Sequence, residues 1–260
     1  MKRILSWIMG SLMLVLLSGC SLANQRLGTK QSTLIVGLDD SYVPMGYETK
    51  SGNLEGFDVD LAKMVGQTMH RKIVFQPIDW SMKETELRNR TIDLIWNGYS
   101  KTPPRAKKVA FSKPYLTNQQ VIVVQRKSNI RKVKDLQNQS VGTQSGSASY
   151  TKIIQNPSLL KDFIKNKTPV QYDSLEQGML DLNAGRIKGF MIDSVFADYY
   201  VKHTKNPQQY RILQTQFTGE DFAVGMRKDD SKTRKEINQA LYKLKQIGKL
   251  QQLQQKWFAS

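Results

Sequence analysis

Short apolar runs and helical stripes alternate along most of the chain. "TLIVGL" at residues 33–38 is a β-branched run around a glycine, whereas Phe57, Leu61, Met64 and Val65 recur at helical spacing. "KIVFQP" (72–77) reads as a strand, "SMKETELRN" (81–89) as a short helix opened by Ser81 with Glu84 three residues on, and "IDLIW" (92–96) as the next strand. Thr102 followed by Pro103 and Pro104 marks another helix start, because prolines in a first turn lack only N–H groups that have no intrahelical acceptor. "QQVIVVQRKS" (119–128) is a longer extended run without an internal turn. After it the alternation begins afresh. "SVGTQ", "TPVQYD", "GFMID" and "YRILQ" read as strands, while residues 147–155, the segment capped by Ser174 with Gln177, and "SVFADYYVKH" read as helices. Near the end "DFAVGMRK" reads as one strand, and Ile237, Leu241, Leu244 and Ile247 form a helical stripe that Leu250, Leu253 and Trp257 continue beyond Gly248.

A strand and helix alternation that restarts midway predicts an α/β protein of two lobes, and 260 residues suffice for both. Residues 123–215 make the second lobe; residues 33–122 and 216–260 make a discontinuous first lobe, closed by the final helices. "VGLDD" and "VGTQSG" each place a polar loop after a Val-Gly strand end, and open α/β sheets bind ligands outside the carboxyl ends of their strands. Two such lobes facing each other make a cleft.

The first residues bear on compartment. Lys2 and Arg3 precede an apolar run from Ile4 to Leu17 that ends in Leu17-Ser18-Gly19-Cys20, the layout of an export signal over residues 1–19. Its apolar run is too short to span a bilayer as a stable helix. Cys20, the only cysteine, stands where the lipobox of bacterial lipoproteins has its lipidated residue, and residues 20–32 read as a polar tether. The expected location is the extracytoplasmic face of a Gram-positive cell membrane, with a lipid anchor on Cys20. With no other cysteine, disulfides and thiol catalysis are excluded from the rest of the chain.

The whole chain carries 39 basic and 22 acidic residues; without Lys2 and Arg3 the net charge is +15. Its lysines are dispersed and no arginine-rich run interleaves with aromatics, so nucleic acid is not the expected partner. An exported basic protein more naturally lies among anionic lipid heads and wall polymers.

"GFDVDLAKMVG", "IDLIWNGYSKTPPRAKKVAFSKPY", "VGTQSGSAS", "AGRIKGFMID" and "LQQKWF" resemble, in order and spacing, the polar amino acid group of solute-binding proteins from bacterial amino-acid ABC importers. The similarity runs from about Thr33 to Phe258. It implies a periplasmic-binding-protein-like fold: two α/β lobes joined by two extended hinge segments, near Gln119 to Gln125 and Gln214 to Phe222, that close over an amino acid. It further implies permease subunits as partners, a monomer, no cofactor or metal, and no catalytic residue.

An amino acid zwitterion presents a carboxylate, an ammonium and a side chain, each needing a partner once water leaves. For the carboxylate, Arg105 offers two parallel charge-assisted hydrogen bonds, and "SGSA" (145–148) opens a helix whose free N–H groups also favour an anion. Arg105 also reads as a surface residue at a helix start, where a cation is poorly placed against the dipole. The resemblance assigns the carboxylate to Arg105 and the backbone N–H groups of Ser100 and Ala148, and adds Gln144 and Ser147 to the site. It assigns the ammonium to Asp193 and the carbonyl of Gly98, although Asp193 also reads as a cap for the helix beginning at Ser194. Asp39, Tyr42, Trp80 and Tyr99 match side-chain pocket positions: Tyr42 and Trp80 to sandwich the ligand side chain, Asp39 to meet a cationic or amide end. One departure stands beside Arg105. The family commonly has T-x-E-R, whereas this chain has Thr102-Pro103-Pro104-Arg105, which puts the aim of the arginine in question.

These residues point to capture of a polar, cationic or cystine-like amino acid and its delivery to a permease. An enzyme of the cyclohexadienyl dehydratase type on the same fold is the rival, but His70 and His203 are the only histidines and both lie near helix ends among polar neighbours. No G-x-S-x-G, H-E-x-x-H, P-loop or cysteine pair occurs. A third reading is a ligand-sensing or wall-binding surface lipoprotein that uses its positive charge.

Overall fold

The computed structural model describes residues 32–258. The export signal, Cys20 and nearly all of the tether lie outside the described residues. Strands in the first half are β1 (Thr33–Leu38), β2 (Ser41–Tyr42), β3 (Gly46–Glu48), β4 (Leu54–Glu55), β5 (Lys72–Pro77), β6 (Leu94–Ile95), β7 (Ala110–Phe111) and β8 (Leu116–Asn118). Then come β9 (Gln120–Gln125), β10 (Val141–Gln144), β11 (Val170–Tyr172), β12 (Gly189–Asp193), β13 (Tyr210–Gln214), β14 (Glu220–Phe222) and β15 (Gly225–Met226). The helices are α1 (Phe57–Thr68), α2 (Lys83–Asn89), α3 (Pro103–Ala106), α4 (Ala148–Gln155), α5 (Leu175–Asn183), α6 (Ser194–His203), α7 (Ser231–Gln246) and α8 (Lys249–Phe258).

Two five-stranded sheets organise the molecule. The first has the order β5-β1-β6-β15-β7, the second β11-β10-β12-β9-β13. In each, the strand that leads to the cleft lies in the parallel part: β1 pairs parallel with β5 and β6, and β10 parallel with β11 and β12. A two-stranded antiparallel ladder, β8 with β14, stands at the crossing between them.

Packing follows the sequence pattern. Val36, Leu94 and Met226 of the first sheet belong to one buried cluster with Phe57, Leu61 and Val65 of α1 and Ile237, Leu241 and Leu244 of α7. Both closing helices pack against α1. In the second sheet β9 is buried on both faces: Val121 and Val123 pack with Phe190, Ile192 and Phe196, whereas Ile122 and Val124 pack with Met191, Ile153 and Leu213. A central strand flanked by apolar layers reads as a continuous apolar run for this reason.

Several elements differ from the expectation. β9 pairs along its length with β12 and β13, so a boundary between residues 122 and 123 falls inside a second-sheet strand. The chain crosses at Gln119 and again at residues 215–219, and the expected first hinge, Gln119 to Gln125, is mostly sheet. "DFAVGMRK" divides into β14 and β15, because Phe222 pairs with Leu116 in the crossing ladder while Gly225 and Met226 pair with β6 and β7. Ser81 is not a cap; it sits in a 3-10 turn at Trp80–Met82 whose cap is Asp79, accepting from the Ser81 N–H at 2.8 Å. Ile247, at the end of α7 beside the positive-φ Gly248, is 57 % exposed and leaves the stripe. Thr102 and Ser174 cap their helices as the pattern predicts, and Ser147, read from the pattern as the first helical residue, is the cap of α4.

Candidate functional site

Four strand ends converge. β1 delivers Asp39, β6 the segment Asn97 to Ser100, β10 Gln144 and the start of α4, and β12 Asp193. Tyr42, Trp80, Gly98, Ser100, Arg105, Gln144, Ser147, Ala148 and Asp193 line one small cavity. A larger and more open groove lies beside Tyr47, Tyr199 and Tyr200, but of the two it is the small cavity that gathers a buried guanidinium and an enclosed carboxylate. A concave space with a few convergent polar groups is the expected form of a small-molecule site.

At one end Arg105 is 7 % exposed and held from several sides. Its Nη1 donates to the Ser100 carbonyl at 3.0 Å and its Nη2 to the Gly146 carbonyl, from the other sheet, at 3.1 Å. The guanidinium lies 4.5 Å from the centre of the Tyr99 ring, and its Nε is 3.8 Å from Glu84 Oε1. Tyr99 OH donates to the same Glu84 oxygen at 2.9 Å. Lys83 Nζ donates to the carbonyls of Trp80 and Gly146, each at 2.8 Å, and lies 3.5 Å from Glu84 Oε2. Burial, with Arg105 adding to it, lowers the Lys83 ammonium to about 7. Burial opposes ionisation of Glu84, but Lys83 and Arg105 outweigh it and hold the carboxyl below its usual range. Of these three groups Arg105 alone lines the cavity, where it offers an anion a cation, while Lys83 and Glu84 stand behind it.

Pro104 does not disturb this arrangement. Thr102 has extended backbone and its hydroxyl accepts from the Arg105 N–H at 3.5 Å, while both prolines occupy the first turn of α3. The guanidinium takes its direction from Ser100, Gly146, Tyr99 and Glu84, none of which is in that turn.

At the other end Asp193 is partly buried as a residue, but its carboxyl is enclosed by donors. Oδ2 accepts from Tyr42 OH at 2.6 Å; Oδ1 accepts from Asn118 Nδ2 at 2.5 Å and Gln120 Nε2 at 2.6 Å. It makes no side-chain cap bond to α6, so its donors face the cleft and the crossing ladder instead. Burial, and next the nearby Glu220 carboxylate, push Asp193 up to about 6 against the pull of these hydrogen bonds.

Gly98 joins the two ends. Its φ is +56°, and a Cβ there would meet Tyr42 Cε1 at 2.6 Å, so both conformation and space require glycine. The Gly98 N–H donates at 2.6 Å to Asp58 Oδ2, which also accepts from Tyr115 OH at 2.8 Å. Asp58 is fully enclosed and burial raises it to about 7.

Two expected pocket residues stand one layer back. Asp39 is buried, accepts from the Ser41 N–H and hydroxyl at 2.9 and 2.6 Å, and receives the Gln144 amide, which itself lines the cavity. Burial raises its carboxyl above the usual range against those bonds. Tyr99 does not line the cavity: its ring is fully buried in the first lobe, 5.2 Å from Phe111. Its ring is instead packed on Phe111 and against the Arg105 guanidinium, so it supports the arginine from behind. Sequence reading missed Asn118, Gln120, Glu220, Asp58, Lys83 and Glu84. Only Gln120, a polar residue heading an apolar run, carries a local signal.

A model of the bacterial extracellular solute-binding proteins, family 3, matches residues 34–260. The arginine-binding extracellular protein ArtP of Bacillus subtilis (strain 168) is 29% identical over 259 residues, covering 99% of this chain and 98% of that protein. The L-cystine-binding protein TcyJ of Escherichia coli (strain K12) is 26% identical over 261 residues, covering 97% and 95%. Among solved structures, a substrate-binding protein of an ABC uptake transporter from Streptococcus pneumoniae with bound histidine superposes with a TM-score of 0.86 at 42% identity, covering 88% of this chain and 93% of that one.

Proposed function

The chain belongs to the bacterial extracellular solute-binding proteins, family 3, and on that premise we propose that its cleft holds one L-amino acid with a cationic or polar side chain for delivery to an ABC-type import permease. One observation carries the reading: Arg105 and Asp193, opposite in charge and borne by different lobes, line the same cavity. Arg105 takes the α-carboxylate with the helix-start N–H of Ala148, and Asp193 takes the α-ammonium. Because the zwitterion bridges both lobes, binding favours the closed arrangement. Trp80 and Tyr42 flank the side chain, and Asp39, reached through Gln144, favours a cationic or amide end. Relatives named for arginine, histidine and cystine fit that range.

Thermal unfolding with each proteinogenic L-amino acid and L-cystine tests this. A ligand at a hundred times its Kd adds about 2.7 kcal/mol to folded-state stability, so a cationic or polar amino acid raises the midpoint clearly. No rise with any of them, or turnover of a cyclohexadienyl substrate, sinks the reading. We further read Cys20 as the lipidated residue of an extracytoplasmic membrane anchor. Changing Cys20→Ala should release the protein into the medium; retention in the membrane fraction would count against the anchor.

A further inference from the structure

The ammonium end of the cleft contains a second carboxylate. Glu220 lies in β14, and its side chain is 4 % exposed. Its Oε1 accepts from Ser100 Oγ at 2.9 Å, from Gln120 Nε2 at 2.5 Å and from Asn118 Nδ2 at 3.3 Å. The same two amide nitrogens donate to Asp193 Oδ1, so both carboxylates converge on shared donors. Ser149 donates its hydroxyl to Gln120 Oε1, which turns the amide NH2 toward the pair. Like charges placed this close repel unless a cation offsets them. Lys152 of α4 supplies one: Nζ lies 3.2 Å from Glu220 Oε2 as an ion pair without hydrogen-bond geometry, while donating to the carbonyl of Thr218.

Given the amino-acid reading of the cleft, on which this depends, we propose that Glu220 and Lys152 set the charge of the ammonium site. Together with Asp193 they leave a net charge of minus one, which a single α-ammonium group cancels. Both are positioning residues that act through Asp193, Asn118 and Gln120. The other groups facing the site are Tyr42 and Ser100 from the first lobe, with Asp58 and Tyr115 behind Tyr42. Without Glu220 the remaining pair, Asp193 and Lys152, is neutral and the ammonium loses its net attraction. Without Lys152 the two carboxylates oppose each other and Asp193 holds its proton to higher pH.

Asp193 sits near 6, raised by burial and then by Glu220, and only its ionised form pairs with an ammonium. Affinity therefore falls as pH falls through that value, by about tenfold between pH 7 and pH 5. Calorimetric titrations over pH 5 to 8 test the assignment with L-arginine and L-glutamine, whose side chains do not titrate there. Glu220→Gln is expected to weaken binding about tenfold at pH 7 and move the midpoint to lower pH. Lys152→Met moves the midpoint up, the double variant returns it toward wild type, and Glu220→Asp keeps it in place. Should Glu220→Gln fail to fold, Lys152→Met and Glu220→Asp still decide the matter. Equal losses at every pH, or a double variant no better than the worse single one, overturn the charge-setting role and leave the amino-acid reading standing. If wild-type protein binds neither probe nor any other amino acid, that reading falls, and this inference with it.

Discussion

Arg105 and Asp193 face one cavity, yet the residues that hold them come from different distances along the chain. Glu84, Tyr99, Ser100 and Thr102 surround Arg105 from within the same lobe and nearby sequence, and only Gly146 reaches it from the other. Asp193 is held by Tyr42, 151 residues away, and by Asn118 and Gln120, 75 and 73 away. The carboxylate end is thus largely formed within the first lobe. The ammonium end draws on both lobes and the crossing strands: Tyr42 from the first sheet's side, Asn118 from the crossing ladder and Gln120 from the strand beside Asp193.

The largest effects that sharpen this contrast come from the two charged residues. Arg105→Ala removes the guanidinium to which the carboxylate end is built; losing one partner of a buried charge pair costs about 2–5 kcal/mol, which is about thirtyfold to several thousandfold in affinity. Asp193→Ala is expected to lose at least about tenfold but less than Arg105→Ala, because Glu220 remains on the same amide donors. Titration of both folded variants with the same amino acid checks the order. Equal losses would break the contrast, and near-wild-type curves for both would sink the site assignment. The smallest effect belongs to Pro104→Glu, which restores the common family residue. Since the direction of Arg105 is set outside α3, the affinity should change by less than about threefold. A larger change would mean that the cap governs the arginine after all.

Much of the carboxylate end was legible in the sequence. Arg105, Ser100 and "SGSA" stand out because a guanidinium beside a helix start and free helical N–H groups are local features. Tyr99 was misplaced as a lining residue, since its neighbours, not its own chemistry, decide which way it faces. The ammonium end was half legible. Asp193 stood out at a strand end, whereas Glu220, Asn118 and Lys152 carry no mark that distinguishes them from other polar surface residues. Asp58, fully enclosed beneath Gly98, also reads in sequence as an ordinary first-turn acid of a helix.

By itself the sequence determined what short-range physics controls: where strands and helices run, which caps open α3, α4 and α5, and which glycine turns the backbone at residue 98. These depend on residues a few positions apart, with periods of two and 3.6. Only the tertiary structure decided that β9 lies wholly in the second sheet, that Tyr99 supports Arg105 from behind, and that Asp193 and Glu220 share two amide donors. Contacts between residues 42 and 193, or 120 and 220, form only when whole sheets are placed against each other. That placement is set by the summed burial of many apolar side chains, so no polar residue in the cleft announces its partner.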